Sequence, residues 1–234
     1  MEVRGPEDVR RLIAAHNAME ARIAGLLDEK DVMLGAIGHD LKTPLAALRV
    51  RIEGVEDERE RAKMAASIED LARSLDDILS LARVGRAEAP PEKAELSSLL
   101  ASIVEEFEDM GEAVTFSGAP RIQADIHLTW LKRAIRNLID NALRYAGSAH
   151  VSLTAQEGMA ILRVEDSGPG ISDNALATIT EPFKRGEQSR NRQTGGAGLG
   201  LTLARAIAEQ HGGRLVLTNR DSGGLRAEIR IPGR

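Results

Sequence analysis

Four short stretches of this sequence combine residue types that can do chemistry at spacings that bring them together. The first is Gly38-His-Asp-Leu-Lys-Thr-Pro-Leu45. A neutral imidazole carries a lone pair that can attack an electrophile, and the carboxylate of Asp40 stands next to His39 in the chain. Thr43, at i+4, shares the helix face of His39, and Pro44 removes an intrahelical hydrogen bond just beyond it. Taken alone, the histidine could equally be a surface residue followed by a tolerated kink. The second stretch is Asn137-Leu-Ile-Asp-Asn-Ala-Leu-Arg-Tyr145, in which Asn137 and Asn141 share one face at i, i+4. Buried amides are costly unless bonded, so such a pair either caps a neighbour or offers oxygens to a cation. In the third, Asp166-Ser-Gly-Pro-Gly170, two glycines allow close approach to a flat ligand and a carboxylate can accept from an exocyclic amine. The same residues also make ordinary turns. The fourth is Thr194-Gly-Gly-Ala-Gly-Leu-Gly-Leu201. Backbone amides of a glycine-rich loop at a helix N-terminus form an anion site, although a merely flexible loop would read the same way. It is neither a Walker A loop, having no Gly-Lys-Ser/Thr, nor the dinucleotide fingerprint.

Helices and strands must position these residues. Apolar residues recur at Met19, Ile23 and Leu26, and then at Leu34, Ile37, Leu41, Leu45, Leu48 and Ile52. That 3/4 spacing predicts a long amphipathic helix from which His39 projects away from the apolar stripe. The polar run Glu53-Gly-Val-Glu-Asp-Glu-Arg59 interrupts it, and the period resumes at Met64, Ile68, Leu71, Leu75, Ile78 and Ala82. Two such helices imply an antiparallel hairpin, and a lone hairpin leaves half its stripe in water, so a homodimeric four-helix bundle is expected. Gly85-Arg-Ala-Glu-Ala-Pro-Pro-Glu-Lys93 breaks the pattern, and a linker is read over 87–94. Helices are then predicted over 96–106, 126–146 and 199–211, and strands over 149–155, 159–165, 214–218 and 225–231, with Gln156-Glu-Gly158 as a hairpin turn. The class is α followed by an α/β sandwich over 95–234.

Composition narrows the function classes. Thirty-one Lys+Arg against 36 Asp+Glu leave a net charge of −5, which argues against sequence-independent nucleic-acid binding. The absence of cysteine removes disulfides, thiolate metal sites and cysteine nucleophiles. The longest stretch without Asp, Glu, Lys or Arg is 12 residues, short of the ~18–20 a membrane helix needs. The chain therefore reads as soluble and intracellular.

In order and spacing the four stretches resemble the catalytic core of a bacterial two-component sensor histidine kinase. Gly38–Leu45 is similar to its phosphoacceptor H box and Asn137–Tyr145 to its N box. Asp166–Gly170 and Gly196–Gly200 are similar to its two glycine boxes, and Glu181-Pro-Phe-Lys-Arg-Gly186 resembles its F box. Arg4–Val9 and His16–Arg22 resemble the last half of a HAMP linker, so 1–30 reads as a HAMP remnant and 31–86 as the dimerisation and phosphotransfer hairpin. Two departures stand out: Thr180 where an aromatic is usual, and Asp40 where many relatives carry Glu.

The resemblance implies a dimeric bundle followed by a Bergerat-type ATP-binding domain of the fold shared with gyrase and heat-shock ATPases. It implies transfer of the γ-phosphoryl of ATP to His39, with Asp40 holding the ring and Thr43 orienting a water that later dephosphorylates the regulator. Asn141 is the implied magnesium ligand. Asn137, Arg144, Tyr145, Lys184, Arg185 and Thr194 are the implied nucleotide contacts on the helix and lid. Asp166, Gly168 and Gly170 are implied for adenine, and Gly196, Gly198, Leu199, Gly200 and Leu201 for the phosphates. The implied partners are a second copy and the receiver domain of a response regulator. A parent in the inner membrane, with this part on its cytoplasmic side, is implied as well. Three rivals share parts of the pattern: a degenerate kinase serving as a dimeric scaffold, an ATPase or serine kinase with the same nucleotide fold, and a phosphotransfer hub that does not use ATP.

Overall fold

The computed structural model describes residues 6–85, 90–118, 120–176, 178–180 and 198–234. Two compact units divide the chain, Met1–Ala62 and Lys63–Arg234. The first holds α1 (Glu7–Ile52) and the opening turn of α2 (Glu58–Arg83). α1 runs on through Pro44, and its Glu7 and Asp8 at the N-terminus and Arg49 and Arg51 at the C-terminus complement the helix dipole. The polar run after Ile52 is the connection to α2. Asp57 starts the second helix: its Oδ1 accepts the amides of Arg59 and Glu60 at 2.9 and 3.2 Å.

The second unit is a two-layer α/β sandwich joined by the rest of α2. A five-stranded sheet runs in the order β2 (Val114–Phe116), β4 (Ala149–Gln156), β5 (Met159–Glu165), β7 (Leu225–Pro232), β6 (Arg214–Asn219). β2 and β4 are parallel and the remaining pairs antiparallel. One face carries Val151, Leu153, Leu162, Val164, Ala227, Ile229 and Ile231. These pack under α3 (Leu96–Asp109), α4 (Leu128–Ala146) and, beyond the single turn α5 (Asp173–Leu176), α6 (Gly200–Gln210); Leu100, Ile103, Leu131, Ile135, Ile139, Leu203 and Ile207 of α3, α4 and α6 join the same core. The opposite face is polar. There buried Glu228 lies between Arg163 and Arg230, at 2.8 and 2.5 Å. Burial pushes its carboxyl up, but the hydrogen bonds from Arg230 and Arg163 outweigh burial and hold it below the usual range.

The turn chemistry explains the strand register. Gln156 pairs with Met159, so the hairpin loop is Glu157-Gly158, both at positive φ (51° and 76°). That is the twist a two-residue antiparallel hairpin requires. α3 is capped by Glu95, whose carboxylate accepts the backbone amides and the hydroxyls of Ser97 and Ser98. Those bonds hold its carboxyl at about 2. His211 bridges α6 and α4: Nδ1 donates to the Ile207 carbonyl at 2.7 Å and Nε2 accepts the His127 amide at 3.0 Å. Only the neutral ring can do both, and burial lowers its pKa accordingly.

Three short strands lie outside the sequence reading. β1 (Glu92–Glu95) and β3 (Gln123–Ile126) form a separate two-stranded antiparallel sheet, so strand structure begins inside the segment read as linker over 87–94. β1 has three charged residues in four and no apolar alternation to betray it. Ile126, read as the first helical residue, ends β3, and α4 begins at Leu128.

Candidate active site

His39 and its neighbours belong to the first unit and are described by themselves. The side chain of His39 is 83% exposed, as the helical phase of its neighbours predicts. Nδ1 lies 3.3 Å from Asp40 Oδ1, so a neutral ring places its proton there and its lone pair on Nε2. The hydroxyl of Thr43 donates back to the His39 carbonyl at 3.3 Å. This is the usual mid-helix bond of a threonine, and it leaves the hydroxyl one turn from the imidazole on the same exposed face.

The second unit brings the described residues of the other three stretches together around α4. Leu131, Ala134, Ile135, Leu138, Ile139 and Ala142 are buried at 3/4 spacing, which turns Asn137 and Asn141 onto the half-buried flank of the helix. Asn137 Nδ2 lies 3.5 Å from the Gly200 carbonyl, and a Cβ at Gly200 would come 3.7 Å from that of Asn137. α6 therefore begins directly against the first asparagine. Gly198, just before it, has φ +71°, and Leu199 is buried at 1% exposure.

The C-terminus of α4 meets the loop after β5. A Cβ at Gly168 would sit 3.1 Å from the Tyr145 carbonyl and 3.2 Å from the Ala146 methyl, tighter than ordinary contact. Glycine is what lets this loop close on the helix end. Asp166 organises the loop through one oxygen: Oδ1 accepts the Gly168 amide at 2.9 Å and the Leu225 amide at 3.0 Å. Both backbone bonds fall on that oxygen and neither on Oδ2.

Arg144, implied above as a nucleotide contact, also reaches α2. Its guanidinium is 3.8 Å from Asp70 Oδ1 on α2, and Arg133 is 3.3 Å from Asp77 on the same helix. Burial raises the pKa of Asp77 against the pull of Arg133. α2 is thus tied by charge to the polar flank of α4. Lys184, Arg185, Thr194, Gly196 and the whole of Glu181–Gly186 lie outside the described residues. The sequence reading missed the turn between β6 and β7, where Asn219, Arg220 and Gly224 hold the Asp166 loop. The Gly223-Gly224 pair was the available signal.

Residues 126–234 match the family described as histidine kinase-, DNA gyrase B- and HSP90-like ATPase. The histidine kinase domain of the Escherichia coli osmosensor EnvZ, solved by NMR, is 31% identical and has a TM-score of 0.50; the match covers 63% of this chain and 91% of that one. The chain belongs to the sensor histidine kinases. Full-length relatives extend the likeness of this kinase core to nearly its whole length. The sensor histidine kinase GtrS of Pseudomonas aeruginosa is 37% identical over 99% of this chain and 48% of its own. For the sensor protein RstB of Escherichia coli the figures are 34%, 95% and 53%. The kinase core thus spans about half the length of the curated relatives it matches. Its fold is also that of full-length ShkA, solved in complex with AMPPNP (TM-score 0.64, 23% identity, 86% of this chain and 45% of that one).

Proposed function

We propose that this chain binds ATP between α4, the Asp166–Gly170 loop and the start of α6, and transfers the γ-phosphoryl group to His39. The observation that carries the reading is the closure of the Asp166–Gly168 loop onto the end of the Asn137–Asn141 helix. Adenine lies against the Gly168–Gly170 backbone with its amine on Asp166, and the triphosphate extends toward Asn137 and the N-terminus of α6. Asn141 offers magnesium an amide oxygen, a hard donor that fits this ion. Among the described residues no group of three His, Asp or Glu could hold a metal ion. When bound, the ion supplies charge neutralisation along the phosphates.

In the transfer, the lone pair on Nε2 of His39 forms the new N–P bond as the bond from the γ-phosphorus to the bridging oxygen breaks, and the electron pair leaves with ADP. The proton stays on Nδ1, where Asp40 offsets the positive charge that develops on the ring. Phosphohistidine then donates the group to an aspartate of a receiver domain, and Thr43 orients a water that later attacks the aspartyl phosphate, releasing inorganic phosphate and the free carboxylate. A second copy of the chain is the proposed partner of the helices: Ile37, Leu41 and Leu48 on α1 and Met64, Leu71 and Ile78 on α2 are each 40–57% exposed. No helix among the described residues is long and apolar enough to cross a membrane. A membrane-bound parent, sensing through segments beyond this chain, accords with the double length of its relatives.

The test is labelling with γ-radiolabelled ATP. Label that survives alkali and is lost in acid supports phosphohistidine, whereas acid-stable label would assign a serine kinase. Nucleotide binding without label would assign a scaffold or a simple ATPase.

A further inference from the structure

We propose that Asn219 is a positioning residue for nucleotide selection: its carboxamide clamps the Asp166–Ile171 loop to the turn between β6 and β7. The inference rests on the reading of Asp166 as the adenine contact.

Asn219 is the last residue of β6. Its Oδ1 accepts the Ile171 amide at 2.9 Å, and its Nδ2 donates to the Ile171 carbonyl at 2.7 Å. One side chain thereby satisfies both backbone groups of a residue 48 positions away, as a neighbouring strand would. Gly170 makes room for it. That residue has φ +70°, and a Cβ there would fall 2.8 Å from Asn219 Oδ1.

The other end of the loop is held by the same turn. Arg220 Nη1 donates to the Asp166 carbonyl at 2.5 Å, and the Leu225 amide donates to Asp166 Oδ1. Gly224, at φ +97°, lies so close that a Cβ would come 2.0 Å from the Asp166 carbonyl oxygen. The turn is itself braced, by the Arg220 amide on the Gly224 carbonyl and the Gly223 amide on the Arg220 carbonyl, both at 3.0 Å. The same turn therefore grips both ends of the loop. Asn219 is exposed, so its role is to make these two bonds and not to fill the core. Without them the Ile171 end is released, and the wall formed by Gly168–Gly170 no longer faces the base in a fixed position.

The test is titration of AMPPNP and GTP into wild type, Asn219→Ala and Asn219→Asp, with the autophosphorylation rate measured at saturating ATP. The aspartate variant keeps the size of the side chain but sets an oxygen against the Ile171 carbonyl, so it covers the case in which alanine disturbs the fold. Both variants are expected to weaken AMPPNP binding by about five- to twentyfold, the scale of losing two ordinary hydrogen bonds, and GTP binding by no more than about twofold. The saturating rate should stay within about twofold, because the bound nucleotide is unchanged. Unchanged AMPPNP affinity in a selective wild type would overturn the clamp. So would equal losses for both nucleotides accompanied by a fall in the saturating rate. A wild type that does not prefer the adenine nucleotide would overturn the reading of Asp166 instead.

Discussion

Replacing Asp166 by asparagine changes one oxygen to an amine at constant size, and the structure says which way the new amide must point. Oδ1 faces the amides of Gly168 and Leu225, at 2.9 and 3.0 Å, so the amide oxygen stays there and the NH2 takes the position of Oδ2. A donor then faces the donor of the adenine amine. The lost bond is one to a charged group, worth ~1.5–3 kcal/mol, or roughly a 10- to 150-fold loss of ATP affinity. Guanine presents a carbonyl at the same place, so GTP should bind at least as well as before. The fold should survive. The two retained backbone bonds lose their charge assistance, at a cost of about 1–2 kcal/mol in total, which lowers Tm by roughly 3–6 °C for a unit of this size. Calorimetric titration of both nucleotides beside a thermal melt gives every quantity. An ATP affinity within about threefold of wild type in a folded protein would refute the reasoning, because no carboxylate that reads the amine can be neutralised so cheaply.

Glu95→Ala should lower the stability of the second unit by about 1–2 kcal/mol at neutral pH, the value of a lost N-cap, as read by urea denaturation. The cap carboxyl is held at about 2 against its ordinary 4.5, so its contribution is complete above pH 4.5 and is lost as pH falls toward 2. The gap between variant and wild type must close over that window. Glu228→Ala leaves Arg163 and Arg230 without their shared carboxylate and should cost about 2–3 kcal/mol. That is below the ~3–5 kcal/mol of a fully buried pair, since both guanidiniums reach solvent. A melt that does not move would show the triad to be neutral. Thr43→Ala should leave autophosphorylation within about twofold and slow dephosphorylation of the phosphorylated regulator. Parallel losses in both reactions would show that the bond to the His39 carbonyl only shapes the helix.

The sequence made the long periodic elements legible because their burial is one-sided. α4 shows every buried position at 3/4 spacing, and β4 and β5 announce their hairpin through Glu157-Gly158. The two-stranded sheet of β1 and β3 was hidden because β1, with three charges in four residues, carries no alternation. The chemistry divides in the same way. His39, Asn137, Asn141, Asp166 and the glycines were visible as local patterns. Asn219 was not, since an asparagine at a strand end reads as a turn former and its partner lies 48 residues upstream. The pairing of Arg144 with Asp70 on α2 was hidden for the same reason, since its partner is distant in the chain.

The central claim is that the nucleotide site of the second unit phosphorylates His39, and locating the phosphoryl group tests it most directly. Wild type, His39→Gln and Asp166→Ala are incubated with ATP and magnesium, digested at neutral pH and mapped by mass spectrometry. The expected result at limiting ATP is one phosphorylated peptide containing His39 in wild type, a much lower yield of the same peptide in Asp166→Ala, and none in His39→Gln, which still binds AMPPNP as wild type does. A phosphoryl group on any other residue, or one that persists in His39→Gln, would contradict the claim.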